Sequence, residues 1–117
     1  MISDKLKVIF SPDEINRIKV IEKDRQYLLV IADVHGLKCY QAKRFINNII
    51  NLIHSAFKLI IIHGYTHGTA IKDMLQSHFY NPHILELFPD FQNQGVTHMI
   101  IAAEIRCRKE RQYVKHK

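Results

Sequence analysis

The sequence predicts an α/β fold, a two-layer α/β sandwich in which a four-stranded mixed sheet carries two helices in the order βαβαββ. Three observations point there. Residues 27–32 and 59–62 are short, unbroken apolar runs rich in Leu, Ile and Val, as expected of strands buried on both faces. Between them, Ala42, Phe45, Ile46, Ile49, Ile53 and Phe57 recur at the 3/4 spacing of one helix face. A second amphipathic segment then precedes two further apolar stretches separated by turn residues.

Residues 1–26 read as an N-terminal extension packed on the domain. In it, Ser11-Pro12-Asp13-Glu14 is a helix start, with a hydroxyl cap, a proline at the first helical position and acids in the first turn. Ile15, Ile18 and Ile21 would give that helix its apolar face. The strand at 27–32 ends in Asp33-Val34-His35-Gly36, and the helix from Tyr40 to Phe57 carries Asn47, Asn48 and Asn51 on its polar side. The strand at 59–62 ends in His63-Gly64. After Tyr65-Thr66-His67-Gly68-Thr69, a second helix turns Ile71, Met74, Leu75 and Phe79 inward and is stopped by Asn81-Pro82. Residues 84–91, interrupted by Pro89, form an edge strand. Gln92-Asn93-Gln94-Gly95 turns the chain into a last strand at 96–103. The domain proper is thus 27–105, followed by a tail at 106–117.

Composition narrows the function classes. A chain of 117 residues suits one domain, and 47% apolar with 24% charged residues is globular composition. No apolar run approaches the roughly 18 residues of a membrane span. The first residues lack the charged start and long apolar centre of a secretory signal. Two cysteines, Cys39 and Cys107, can neither build a disulfide framework nor supply four zinc ligands alone. A reduced, cytoplasmic protein with no membrane association is expected. The net charge is +6 and the pI about 9.4, and residues 106–117 hold six Lys/Arg against Glu110 alone. Arg106, Arg108, Lys109 and Arg111 are therefore candidates to meet a phosphate backbone. The alternative is a solvated chain end that aids solubility.

A strand-helix-strand unit with short joints makes its strands parallel and brings their C-terminal ends to one rim, where open α/β sheets take ligands. Asp33, His35 and Gly36 then fall beside His63, Gly64, Tyr65, Thr66, His67, Gly68 and Thr69. The second helix starts there too, offering free N–H groups and a positive dipole end to an anion. A carboxylate among imidazoles can orient them and move protons, which suits phosphodiester chemistry. Each residue also has a plainer reading. Asp33 can be a turn residue, His35 and His63 can be half-buried and bonded to backbone, and Gly36, Gly64 and Gly68 can be turn glycines at positive φ. No histidine pair has the helical spacing of a zinc site, and a glycine-rich phosphate loop with a lysine is missing.

Asp33-Val34-His35-Gly36-Leu37, then Ile61-Ile62-His63-Gly64, then Gly95-Val96-Thr97 together resemble the Smr (small MutS-related) domain family. That family is marked by Leu-Asp-Leu-His-Gly, by (Thr or His)-Gly-Lys-Gly about thirty residues on, and by Gly-Val-Thr before the last strand. The resemblance spans residues 27–103 and implies the fold of the C-terminal domain of translation initiation factor three. It implies binding of RNA or DNA, with the ribosome among the partners, and endonuclease cleavage of phosphodiester bonds. Asp33, His35 and Gly36 match the motif held responsible for cleavage. His63 and Gly64 match the second motif, but Tyr65 stands where Lys is usual and Thr66 where Gly is usual. His67-Gly68-Thr69 rejoins the pattern of some bacterial members. In these roles Asp33 would orient a histidine, His35 would act as general base or acid, and His63 would bind the scissile phosphate. Tyr65 could stack on a base. With RNA, the 2′-hydroxyl can be the nucleophile and no metal is essential; with DNA, a divalent ion (Mg²⁺ or Mn²⁺) at Asp33 is expected. The alternative is a nucleic-acid or ribosome-binding module without nuclease activity.

Overall fold

The computed structural model describes residues 2–23, 27–65 and 68–104. Among them lie a five-stranded mixed sheet and four helices. Helices α1 (Ile2–Ile9) and α2 (Pro12–Asn16) lead into β1 (Ile18–Lys23). Then come β2 (Tyr27–Asp33), α3 (Cys39–Leu52), β3 (Phe57–Ile62), α4 (Ala70–Ser77), β4 (Ile84–Pro89) and β5 (Val96–Ile101). The order across the sheet is β1-β2-β3-β5-β4; β2 and β3, joined through α3, are parallel, and every other pair is antiparallel.

Among the described residues the sheet has one strand more than the expected four, and one helix, α1, lies beyond the two expected in the domain and the short one expected at Ser11. The extra strand comes from the N-terminal segment. Ile15, Ile18 and Ile21 do not share a helix, because α2 stops at Asn16 and Ile18–Lys23 runs beside β2, with Ile18 opposite Ala32 and Val20 opposite Val30. The helix start itself is as expected. The Ser11 hydroxyl accepts from the Glu14 N–H (3.2 Å) and the Glu14 carboxylate from the Ser11 N–H (3.0 Å). Beyond it, β-branched Ile18, Val20 and Ile21 suit a pleated strand and cover an edge that β2 would otherwise leave open.

Phe57 likewise leaves the helix stripe. Helix α3 ends at Leu52 with Ile53 as its C-cap, and Phe57 begins β3 opposite Ile101. Along β3, Phe57, Leu59 and Ile61 are buried while Lys58, Ile60 and Ile62 are half-exposed; along β5, Thr97, Met99 and Ile101 are the buried set. The apolar runs are thus buried on one face rather than both. The inner face packs on Phe45, Ile46, Ile49 and Ile50 of α3 and on Met74 and Leu75 of α4. Phe10, just after α1, meets Phe45 edge to face at 5.3 Å, a geometry worth about 0.5–1.5 kcal/mol beyond the area it buries.

Helix α4 ends at Ser77, before Asn81-Pro82 is reached. Asn81 has another use. Only 5% exposed, its amide donates to Asn47 Oδ1 (2.9 Å) and Asn51 Oδ1 (3.1 Å), and its own oxygen accepts from the His83 N–H (3.0 Å). This satisfied polar clasp ties the end of the α4 segment to α3. Strand β4 lies at the sheet edge, as the sequence predicts, but stops at Pro89 instead of running on to Phe91. Among the described residues no helix is long and apolar enough to cross a membrane.

Candidate active site

Parallel pairing of β2 and β3 sets Asp33 opposite Ile62 and so brings both strand ends to one rim. Past β2, the Val34 N–H donates to the Ile62 carbonyl (2.9 Å) and the Leu37 N–H to the Val34 carbonyl (3.1 Å). This closes a turn through His35 and Gly36. Buried Val34 anchors the turn, so its neighbours face outward. The Asp33 carboxylate accepts from the His35 backbone N–H (3.1 Å) and from His35 Nδ1. A proton on Nδ1 leaves Nε2 as the basic nitrogen. The His35 side chain is 66% exposed, and Nε2 has no hydrogen-bond partner among the described residues.

A residue outside every sequence motif holds this turn. Arg17, just after α2, donates through one guanidinium nitrogen to the carbonyls of Asp33 and His35, both at 3.1 Å. Its own carbonyl accepts from the Asp33 N–H (2.8 Å). Nothing in the spacing announces Arg17, because its partners come from the pairing of β1 with β2.

His63 sits differently from His35. Its ring is 6% exposed, Nδ1–H donates to the Gly64 carbonyl (2.9 Å), and Nε2 accepts from the Thr97 hydroxyl (2.8 Å). Both ring nitrogens are spent inside the protein. Burial holds its pKa below the ordinary 6.5; the bond to the Gly64 carbonyl opposes this and the Lys72 charge adds to it. Burial and these bonds favour the neutral ring, and its contribution here is to fix the loop. The Gly95 carbonyl accepts from both the His63 N–H (2.9 Å) and the Gly64 N–H (3.0 Å). Gly64 takes φ of +73°, open to glycine at little cost. A Cβ on Gly95 would stand 3.0 Å from Gly64 Cα. Gly95 and Thr97, named only within a motif by the sequence, are thus what holds His63 in place.

His35, Gly36, Gly64, Tyr65, Gly68 and the first residues of α4 line a cleft of about 540 Å³. Gly36 and Gly68 are at positive φ, as expected of turn glycines. Thr69 precedes α4 without capping it; its hydroxyl donates to Asp73 (3.0 Å) instead. The first N–H groups of α4 therefore have no side-chain cap at the cleft. The structure brings together Asp33, His35, Gly36, His63, Gly64, Tyr65, Gly68 and Thr69. Thr66, His67, Arg106, Arg108, Lys109 and Arg111 lie outside the described residues. Among the described residues no three His, Cys, Asp or Glu side chains converge as metal ligands. At Asp33 the nearest imidazole is already its hydrogen-bond partner, so this donor pair alone does not fit a divalent ion.

A second carboxylate–imidazole pair lies further along the rim. His98 Nε2 and Asp90 Oδ1 are 2.6 Å apart, and Asp90 Oδ2 accepts from the Gln92 (3.0 Å) and Asn93 (2.8 Å) N–H groups. These bonds, that to His98 foremost, hold the Asp90 carboxyl below its ordinary value. The His98 ring stacks on Phe88 at 5.2 Å, and its Nδ1 is buried with no hydrogen-bond partner among the described residues.

Fold and site together define a class: an open α/β sheet with a rim cleft that presents one imidazole backed by a carboxylate. Compared with protein-family models, curated proteins and solved structures, the chain matches none.

Proposed function

We propose that this protein is a cytoplasmic, Smr-like endonuclease that binds RNA or DNA along the rim and cleaves a phosphodiester bond at His35. The observation that carries the reading is the Asp33–His35 pair, whose Nδ1 side is tied to a carboxylate while Nε2 is open beside the cleft. Such a pair fixes the tautomer and aim of a general base. With RNA, Nε2 takes the proton of the 2′-hydroxyl, the freed oxygen attacks the adjacent phosphorus, and the 5′-oxygen leaves as a hydroxyl after accepting a proton. The products are a 2′,3′-cyclic phosphate and a 5′-hydroxyl end. The uncapped start of α4 favours the phosphate. Asp33 and His63 position, the first by orienting His35 and the second by holding the loop that bears Gly64.

A second reading, nucleic-acid or ribosome binding without cleavage, is favoured by Tyr65 at the position where the family pattern has its phosphate-binding Lys. Purified protein incubated with labelled single- and double-stranded RNA and DNA, with and without Mg²⁺ or Mn²⁺, separates the two. Cleavage is the expected result; binding without cleavage selects the second reading, and neither rejects both.

A further inference from the structure

The rim continues past β3 to the turn joining β4 to β5, and this turn holds Phe91 almost wholly in solvent, 98% exposed. The turn beneath the ring is braced. Asp90 accepts from Gln92, Asn93 and His98, and the Asn93 side chain accepts from the Gly95 N–H (2.8 Å). The Gly95 carbonyl in turn binds the His63 and Gly64 N–H groups, so the turn that bears Phe91 is coupled directly to the loop of the cleft. Two more aromatic rings stand along this edge. Tyr65 is 52% exposed on the cleft loop, and Phe88, 39% exposed, stacks on His98. The acid nearest Phe91 is directed into the brace, where His98 pairs with it. From the end of β2 to the end of β4 the rim crosses three strand spacings, about 14 Å.

Neither the Asp33–His35 pair nor the cleft makes use of Phe91. We infer that Phe91 is a base-stacking platform and that the nucleic acid held on this rim is single-stranded, with an unstacked base on the phenyl ring and a phosphate near His35. The inference rests on the proposed function and names its substrate class. Every base has a π-face, so an exposed ring on a braced turn binds single strands with little sequence preference, whereas a duplex keeps its base faces covered. The net charge of +6 lies mostly in residues 106–117, outside the described residues, so at this rim stacking rather than local charge carries the inference.

The test is fluorescence anisotropy on the full chain with a labelled single strand of about 12 nucleotides, its duplex, and an abasic strand of equal length. Phe91→Ala should weaken binding of the single strand by roughly 5- to 160-fold, the weight of one stacked base. Phe91→Trp should retain it, and affinities for the duplex and the abasic strand should not move. The melting temperature should also hold, since the ring is buried against nothing. Equal single-strand affinity of wild type and Phe91→Ala overturns the subsite and leaves the proposed function standing. An equal loss on all three probes overturns it as well. Wild-type protein that binds none of them overturns the proposed function and the subsite together.

Discussion

The two Asp–His pairs on the rim contain the same groups and differ in what becomes of the second ring nitrogen. At Asp33–His35 the carboxylate takes Nδ1, and Nε2 points free from a side chain that is 66% exposed. At Asp90–His98 the carboxylate takes Nε2, the ring lies flat on Phe88, and Nδ1 is sealed away. An imidazole can pass a proton to a substrate only through a nitrogen the substrate can reach. The first pair is arranged for chemistry and the second for bracing a turn. A carboxylate beside a histidine is therefore not itself the signature of a site; access to the other nitrogen is.

Exchanging the fates of the two pairs gives the largest expected effect. Asp33→Ala and His35→Ala should each lower cleavage by at least ~10²-fold with binding retained, whereas Asp90→Ala and His98→Ala should leave the rate within a small factor of wild type. A nuclease assay on the four variants checks this, and a catalytic loss confined to the second pair would invert the comparison. Next comes the contact that couples the two regions. Gly95→Ala drives a Cβ to 3.0 Å from Gly64 Cα, and relief of that overlap should cost about 1–3 kcal/mol in urea unfolding and slow cleavage by shifting the loop. Unchanged stability and rate would show that the loops part freely.

Smaller effects sharpen the contrast. His98→Ala should lose about 0.5–1.5 kcal/mol from its stack on Phe88, read as a lower urea midpoint, while His35→Ala, on an exposed ring, leaves the midpoint in place. The smallest effect is in pH. Burial holds His63 below 6.5, so above that value neither folded nor unfolded chain carries the proton. As pH falls below it, the unfolded chain protonates first. Stability then declines until the pH passes the folded pKa. His63→Gln should flatten the difference between urea midpoints at about pH 7 and about pH 5, and an equal slope in both proteins would contradict the buried, neutral ring.

The parts legible in the sequence were those with one dominant period. Helix α3 shows its face through Ala42, Phe45, Ile46 and Ile49, and β2 through the unbroken apolar run from Tyr27 to Ala32. Strand β1 stayed hidden because Lys19, Glu22 and Lys23 break its apolar set, and because Ile15 and Ile18, three apart, imitate a helix turn. Phe57 sat four residues after Ile53 for the same accidental reason, although α3 had already ended. In the site, topology alone brought Asp33, His35, His63 and Gly64 to one rim. Arg17 and the Asp90–His98 pair were invisible, since side-chain bonds across strand pairings leave no periodic trace. Nor does residue type reveal which imidazole keeps a free nitrogen.

Along the chain, the contacts that hold the two rim histidines have very different reach. Arg17 meets the turn of Asp33 and His35 across 16 and 18 residues, while Thr97 meets His63 across 34. Doubling a loop adds only about 0.6 kcal/mol of closure entropy, so the difference scarcely registers in stability. It registers in order of assembly, because near contacts are found sooner than distant ones during the chain's search. The β1–β2 hairpin can close around Arg17 while everything beyond β3 is still unfolded, but the clamp on His63 waits for β5, the last strand among the described residues. The expected order of assembly therefore follows the layout in space, from the Asp33 end of the rim toward its Gly95 end.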